Sequence, residues 1–329
     1  MKRLFVLFAF LLLSCAFNAQ DVKAQSEGTL MVVPRLDVDP ARSFGEGWSL
    51  DPGATSLYTF FDGNLGEHFS FSFANHWLSF NDWSFDGTKE LYGNTWRADA
   101  LNWVDWANVT ARFGNLFLTL GKDYIHFGTF EQDAYDYASH WQINSSLWNN
   151  YQVYQWGGSF GWSNEDEDTQ LMLQVSCDQL MEKPFDSRRA SDYAYTLYGV
   201  HWGGEVSVMG SVSHCSLGWM GALGLGLVLT DDISLHGDGY LADSYYGASA
   251  RIAAEPGSQF ELFVKGGFDI GSNEIILDGN RIYCGAGCYW YPLPLRHDLR
   301  VHALCSYDSL QQALCFSAGV LYELNLYLF

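Results

Sequence analysis

From residue 313 to 329 the chain reads ALCFSAGVLYELNLYLF. Leu314, Phe316, Ala318, Val320, Tyr322, Leu324, Leu326 and Leu328 occupy every second position. Side chains alternate across an extended strand, so these eight share one face, while Cys315, Ser317, Gly319, Glu323 and Asn325 share the other. A strand this long, apolar on one side and mixed on the other, suits a tilted crossing of a bilayer. The same period of two recurs upstream. With turn signals as boundaries it predicts strands at about 30–38, 55–62, 67–80, 102–113, 116–126, 151–163, 169–178, 192–202, 204–213, 217–229, 232–242, 246–255, 259–270, 279–291, 297–307 and 313–329. That makes sixteen, within a range of 14–18.

The connections carry a second signal. Short turns at 62–66, 113–115, 162–168, 202–204, 230–232, 255–258 and 291–296 alternate with longer segments at 81–101, 127–150, 179–191 and 271–278. Short turns on one side, longer loops on the other and an even strand number describe an up-and-down barrel with both ends on the short-turn side. Charges add a third. In the strands between 246 and 307 the apolar phase holds residues such as Ile252, Leu262, Val264 and Val301. Arg251, Glu261, Lys265, Asp269, Arg281, Asp298 and Arg300 all fall in the other phase. The fold expected is therefore all-β: a single antiparallel, transmembrane, up-and-down β-barrel. A soluble β-sandwich is the competing architecture.

A chain ending in such a strand with a terminal aromatic resembles the outer-membrane β-barrel family of Gram-negative bacteria. That resemblance implies insertion into outer-membrane lipid and a barrel-assembly machinery that reads the C-terminal strand. The family usually places the terminal Phe in the apolar phase. Here Phe329 falls opposite Leu328, and a bulge near the end would repair the phase.

Composition narrows the class. The chain has 329 residues, 48% hydrophobic and 17% aromatic, with 33 Gly. Beyond the N-terminus no run of eighteen apolar residues occurs, which leaves no candidate for a helical membrane span. Met1-Lys2-Arg3 followed by Leu4–Leu13 reads as a secretory signal, with Val22-Lys23-Ala24 supplying small residues before a cleavage site. Residues 1–24 are thus expected to be a signal peptide and 25–329 one barrel domain. Lipidation at Cys15 after Leu12-Leu13-Ser14 is the alternative. The formal net charge of −21 argues against nucleic-acid binding and toward cation entry into any pore. Cysteine spacing supports no zinc site, and no cofactor is expected. Cys284 and Cys305 share the outward phase; small apolar wall residues are the favoured reading of all the mature cysteines.

The richest stretch for function is 116–150, LFLTLGKDYIHFGTFEQDAYDYASHWQINSSLWNN. Gly121-Lys122 followed by Phe127-Gly128 resembles a strand motif of the phosphate-selective porin group, whose third external loop folds into the lumen and narrows it. Residues 127–150 are that loop by order. They hold Glu131, Asp133, Asp136 and His140 with no Lys or Arg, so the porin class carries over and the phosphate preference does not. These four, and a possible basic wall of Arg112, Arg251, Lys265, Arg281 and Arg300, are the candidate constriction residues. A solvated loop surface is the plain alternative for the carboxylates. Trp83, Trp96 and Arg97 in the 81–101 loop suggest interfacial or packed rings before a saccharide path. His236 and Asp238 share an inward face, but no nucleophile elbow, phosphate loop or metal motif accompanies them, so no enzyme is expected. The expected function is a passive diffusion channel in the outer membrane for small hydrophilic solutes or ions, leaning to cations, with a homo-oligomer possible. The rival is a barrel receptor or assembly component working through its external loops.

Overall fold

The computed structural model describes residues 27–43, 47–51, 55–79, 104–136, 140–150, 154–178, 193–215, 217–273, 276–293 and 296–328. Sixteen antiparallel strands close into one barrel. They are β1 Glu27–Ser43, β2 Ser56–Leu65, β3 Phe69–Ser79, β4 Val104–Phe113, β5 Leu116–Tyr124, β6 Tyr154–Ser163, β7 Thr169–Cys177 and β8 Tyr193–Trp202. The ring continues through β9 Val206–Cys215, β10 Gly218–Thr230, β11 Ile233–Ala242, β12 Tyr245–Ala254, β13 Phe260–Asn273, β14 Leu277–Trp290, β15 Leu299–Asp308 and β16 Ala313–Tyr322. Trp48–Asp51 extends the second wall position along the top of β1, and Leu324–Tyr327 extends the last. Each strand pairs with the next, and β1 pairs with both β2 and β16, which closes the ring. Closure satisfies every sheet edge internally, the condition for a sheet to cross hydrocarbon.

All sixteen strands expected from the alternation are present. Both ends of the described chain meet on the short-turn side, where Thr29 pairs with Tyr327 and the Leu328 amide donates to Gly28 at 2.9 Å. The register of β16 against β1 runs unshifted from Ala41–Cys315 to Thr29–Tyr327. No bulge therefore corrects the phase there, and Phe329 lies outside the described residues. The segment expected as a signal, the 81–101 stretch with Trp83, Trp96 and Arg97, and the 179–191 stretch also lie outside them.

Loop lengths depart from the simple alternation in the second half. The chain reverses between Cys215 and Gly218, between Ala242 and Tyr245, and between Asn273 and Leu277. The stretch expected as a longer loop at 271–278 is mostly strand. The apolar and polar phases continue through Gly271 and Asp278 and pair across β13 and β14, so strand extension outweighs the turn signal of the Gly-Ser-Asn run.

The two faces sort as the phases predict. Leu197, Leu223, Val264 and Ile282 point outward and are 58–61% exposed, whereas Arg251, Lys265 and Arg281 point inward and are buried. The inner wall has two sectors. Along β5, β6 and β7 it is small and mostly uncharged, with buried Thr119, Ser159, Gln174 and Ser176 flanking Gly121 and Gly157, and the carboxylate of Asp123 beside them. From β11 through β15 and on to β1 it is charged, and Arg251 stands directly opposite Lys265 across the sheet. Like charges in that position repel. Something must compensate them, and a loop does.

Candidate functional site

After β5 the chain turns inward. Gly128 lies over Gly210 of β9 with φ +73°, and a Cβ there would meet Gly210 backbone at 2.5 Å. Only glycine allows both that conformation and that approach. The loop then forms two short helices, α1 Phe130–Asp133 and α2 Ser146–Asn150, separated by a 3-10 turn at Trp141–Ile143. It runs along the inner wall from β7 to β15 and reaches β1.

The wall receives both helix starts. Asp238 on β11 accepts the Phe130 and Glu131 amides at 2.7 and 3.1 Å. Asp269 on β13 accepts the Ser146 amide at 2.8 Å and the Tyr245 hydroxyl at 2.8 Å. Each carboxylate meets N–H groups that have no partner within a helix's first turn.

Glu131 is the centre of the latch. It is fully buried, and its Oε1 lies 2.5 Å from Lys265 Nζ, itself fully buried. The same oxygen accepts the Ser145 amide at 2.9 Å, and Oε2 accepts the Tyr240 hydroxyl at 2.9 Å. Lys265 also donates to Asn144 Oδ1 at 2.9 Å. Burial alone pushes the Glu131 carboxyl up; Lys265 and the Ser145 bonds outweigh it and hold the group below its ordinary range. Excellent geometry and filled valences are what a buried ion pair requires.

Neighbouring contacts repeat the logic. Arg251 pairs with Glu261 and stacks its guanidinium on Tyr135 and Phe263 at 4.7 and 4.6 Å. Arg281 donates to Asp308 at 2.7 Å, Asp269 at 3.3 Å and the Asn144 carbonyl at 2.7 Å. Asp136 pairs with Arg300 of β15 and lies 3.3 Å from Arg35 of β1. His140 is sandwiched between Tyr135 and Phe263, with ring centroids 5.3 and 4.6 Å away. Burial, aided by Lys265 and Arg251, pulls its imidazole down to about 3, so it is neutral at ordinary pH. Asp133 accepts the Tyr198 hydroxyl at 3.2 Å, and burial pushes its carboxyl up to about 6.

The structure therefore brings Glu131, Asp133, Asp136 and His140 together with Arg251, Lys265, Arg281 and Arg300. Arg112 stands apart near the short-turn end, bonded to Ser163 and Glu167 at 2.7 and 3.1 Å. Arg35, Asp238, Asp269, Tyr240 and Tyr245 were missed as loop partners. Arg35 lies 101 residues from its loop partner Asp136; the others were legible only as inward-phase residues. His236 and Asp238 form no couple: His236 stacks on Phe130 at 4.2 Å and meets the Tyr135 hydroxyl at 2.9 Å, while Asp238 is taken up by α1. Among the described residues no group of His, Cys, Asp and Glu could hold a metal ion.

No protein-family model and no curated relative matches the chain in sequence. Its fold is similar to solved outer-membrane proteins. An anion-selective porin from Comamonas acidovorans superposes with TM-score 0.62 at 12% identity, over 91% of this chain and all of that one. Outer-membrane expressed OmpT of Vibrio cholerae gives 0.60 at 9%, over 92% and 99%. A mutant of Rh. blastica porin gives 0.59 at 10%, over 91% and 99%. At these identities the likeness is one of fold.

Proposed function

We propose that this chain is an outer-membrane porin, a passive diffusion channel for small hydrophilic solutes, narrowed by the loop latched to its inner wall. The observation that carries the reading is the combination of a closed sixteen-strand ring, apolar outside and polar inside, with residues 125–136 and 140–150 folded into it. The apolar belt gives the ring a lipid-facing surface, and the polar wall gives solutes a wet path. Export by the N-terminal segment, lipid as the surrounding medium, delivery by the barrel-assembly machinery and a homo-oligomeric state accompany this reading.

The latch changes the selectivity expected from composition. Glu131 and Asp136 each lie against a wall cation, so their fields largely cancel over distances beyond a few ångströms. The path is closer to charge-balanced than the net charge of −21 implies, and the cation lean is correspondingly small. Liposomes reconstituted with the purified protein test the reading: they should swell in isotonic arabinose or glucose, more slowly in a disaccharide, and not in a large dextran. Swelling no faster than protein-free liposomes in every sugar would end it.

A further inference from the structure

One cavity is left where the loop meets the wall at the long-loop mouth of the barrel. It has a volume of about 180 Å³ and lies between α2, Ile276 and Leu277 at the start of β14, and the facing ends of β14 to β16. A cavity of roughly 150 Å³ can hold a benzene-sized molecule, so this one is of the size of a single sugar ring.

Its lining is chemically two-sided. Asn149 and Gln311 present amides and Gln142 its amide nitrogen, its Oε1 accepting the Ser306 hydroxyl at 2.5 Å, while Ile276, Leu277 and Leu310 present apolar surface. The charged members are Arg281 and Asp308, and they serve each other. Arg281 Nε donates to Asp308 Oδ2 at 2.7 Å, and its other donors go to Asn144 O, Asp269 and the Gln142 carbonyl. Asp308 Oδ1 accepts the Leu310 and Gln311 amides at 2.8 and 3.3 Å. A charged solute entering here sheds water and meets no uncommitted counter-charge, which penalises it. A neutral ligand with hydroxyls along one edge and C–H groups on the other face matches amides that both donate and accept and the apolar side that remains.

We propose that this cavity is an entry subsite for neutral polyhydroxy solutes of monosaccharide size. The proposal rests on the channel reading and specifies its solute class. Being weak and open, such a site raises local solute concentration without trapping it, the balance that passage requires.

Reconstituted protein is offered size-matched solutes: glucose, glucosamine and gluconate. Glucose is expected to enter at least about threefold faster than either charged sugar, and glucose added to a planar bilayer should partly block the ion current in a saturable way. Gln311→Trp, on an exposed turn, fills the cavity and should abolish both the preference and the block while ion conductance persists. Asn149→Asp places an uncommitted carboxylate there and should shift the preference to glucosamine. Equal entry of all three sugars through a conducting wild type, with no glucose block, overturns the subsite and leaves the channel reading standing. If the wild type conducts nothing, the channel reading fails and saturation-transfer NMR with methyl α-glucoside decides the site. Signals in wild type that vanish in Gln311→Trp uphold it, and their absence in wild type overturns it.

Discussion

At the scale of residues, the pair Glu131–Lys265 decides where the loop sits. Both side chains are fully buried at 2.5 Å, and removing one partner leaves the other charged and unpaired, typically at a cost of about 3–5 kcal/mol. Glu131→Gln or Lys265→Met alone should lower the thermal midpoint in detergent and raise single-channel current noise. The double variant should recover much of the loss, since no orphaned charge remains. If each single change costs less than the double, the pair is not the latch. Asp133 gives a pH test. Its folded carboxyl titrates at about 6 against an ordinary value of 3.8, so the folded state holds a proton that the unfolded chain has lost. The resulting stability is full below the unfolded value and disappears as pH rises through about 6. Glu131 runs the other way: its support is present above its ordinary value of 4.5 and is lost as pH falls through its lower folded value. Asp133→Asn should therefore flatten the change in melting temperature between pH 5 and 7, around the Asp133 titration. An unchanged profile would mean that Asp133 is wet.

At the scale of elements, the strands were readable and their partnership with the loop was not. Period-two alternation located Leu262 and Val264 on the outer face and Lys265 on the inner because a strand has only two faces. Nothing local says that Asp238 will accept the α1 amides from 107 or 108 positions away; that follows from closure of the ring. The carboxylates of the loop were legible as a set, but a solvated surface and a packed interior have the same letters. The tight external turns after β9 and β11 were legible from the strand bounds, and only the one after β13 was misread, because its Gly-Ser-Asn run reads as a loop while the strands continue into it. The entry of the loop has its own test. Gly128 combines φ +73° with Gly210 backbone at 2.5 Å from its Cβ position, so Gly128→Val should push the chain off the wall. The loop has many aromatics and no Lys or Arg, so chymotrypsin should cut Gly128→Val within 127–150 while leaving that stretch of wild type uncut. Equal resistance of both would show that the loop is held without that contact.

At the scale of the whole molecule, the barrel divides labour between its sectors. One side of the ring is a wall mostly of Gly, Ser, Thr and Gln with Asp123 among them; the other is a charged wall whose cations hold the loop. Pairing cancels much of the charge that Glu131 and Asp136 bring to the loop, despite the acidic composition. Under a salt gradient the channel should favour potassium over chloride by no more than about threefold, because focused fields need unpaired charges. A chloride-selective wild type would contradict the pairing scheme.

A conducting ring partly filled by a latched loop has a measurable signature in the single-channel conductance of planar bilayers. Wild type should give discrete, ohmic openings. A variant with residues 129–149 replaced by a short Gly-Ser linker should give openings about two to three times larger, since widening the narrowest section dominates the resistance of a pore. Silent bilayers with both proteins, each inserted and folded, would contradict a conducting ring.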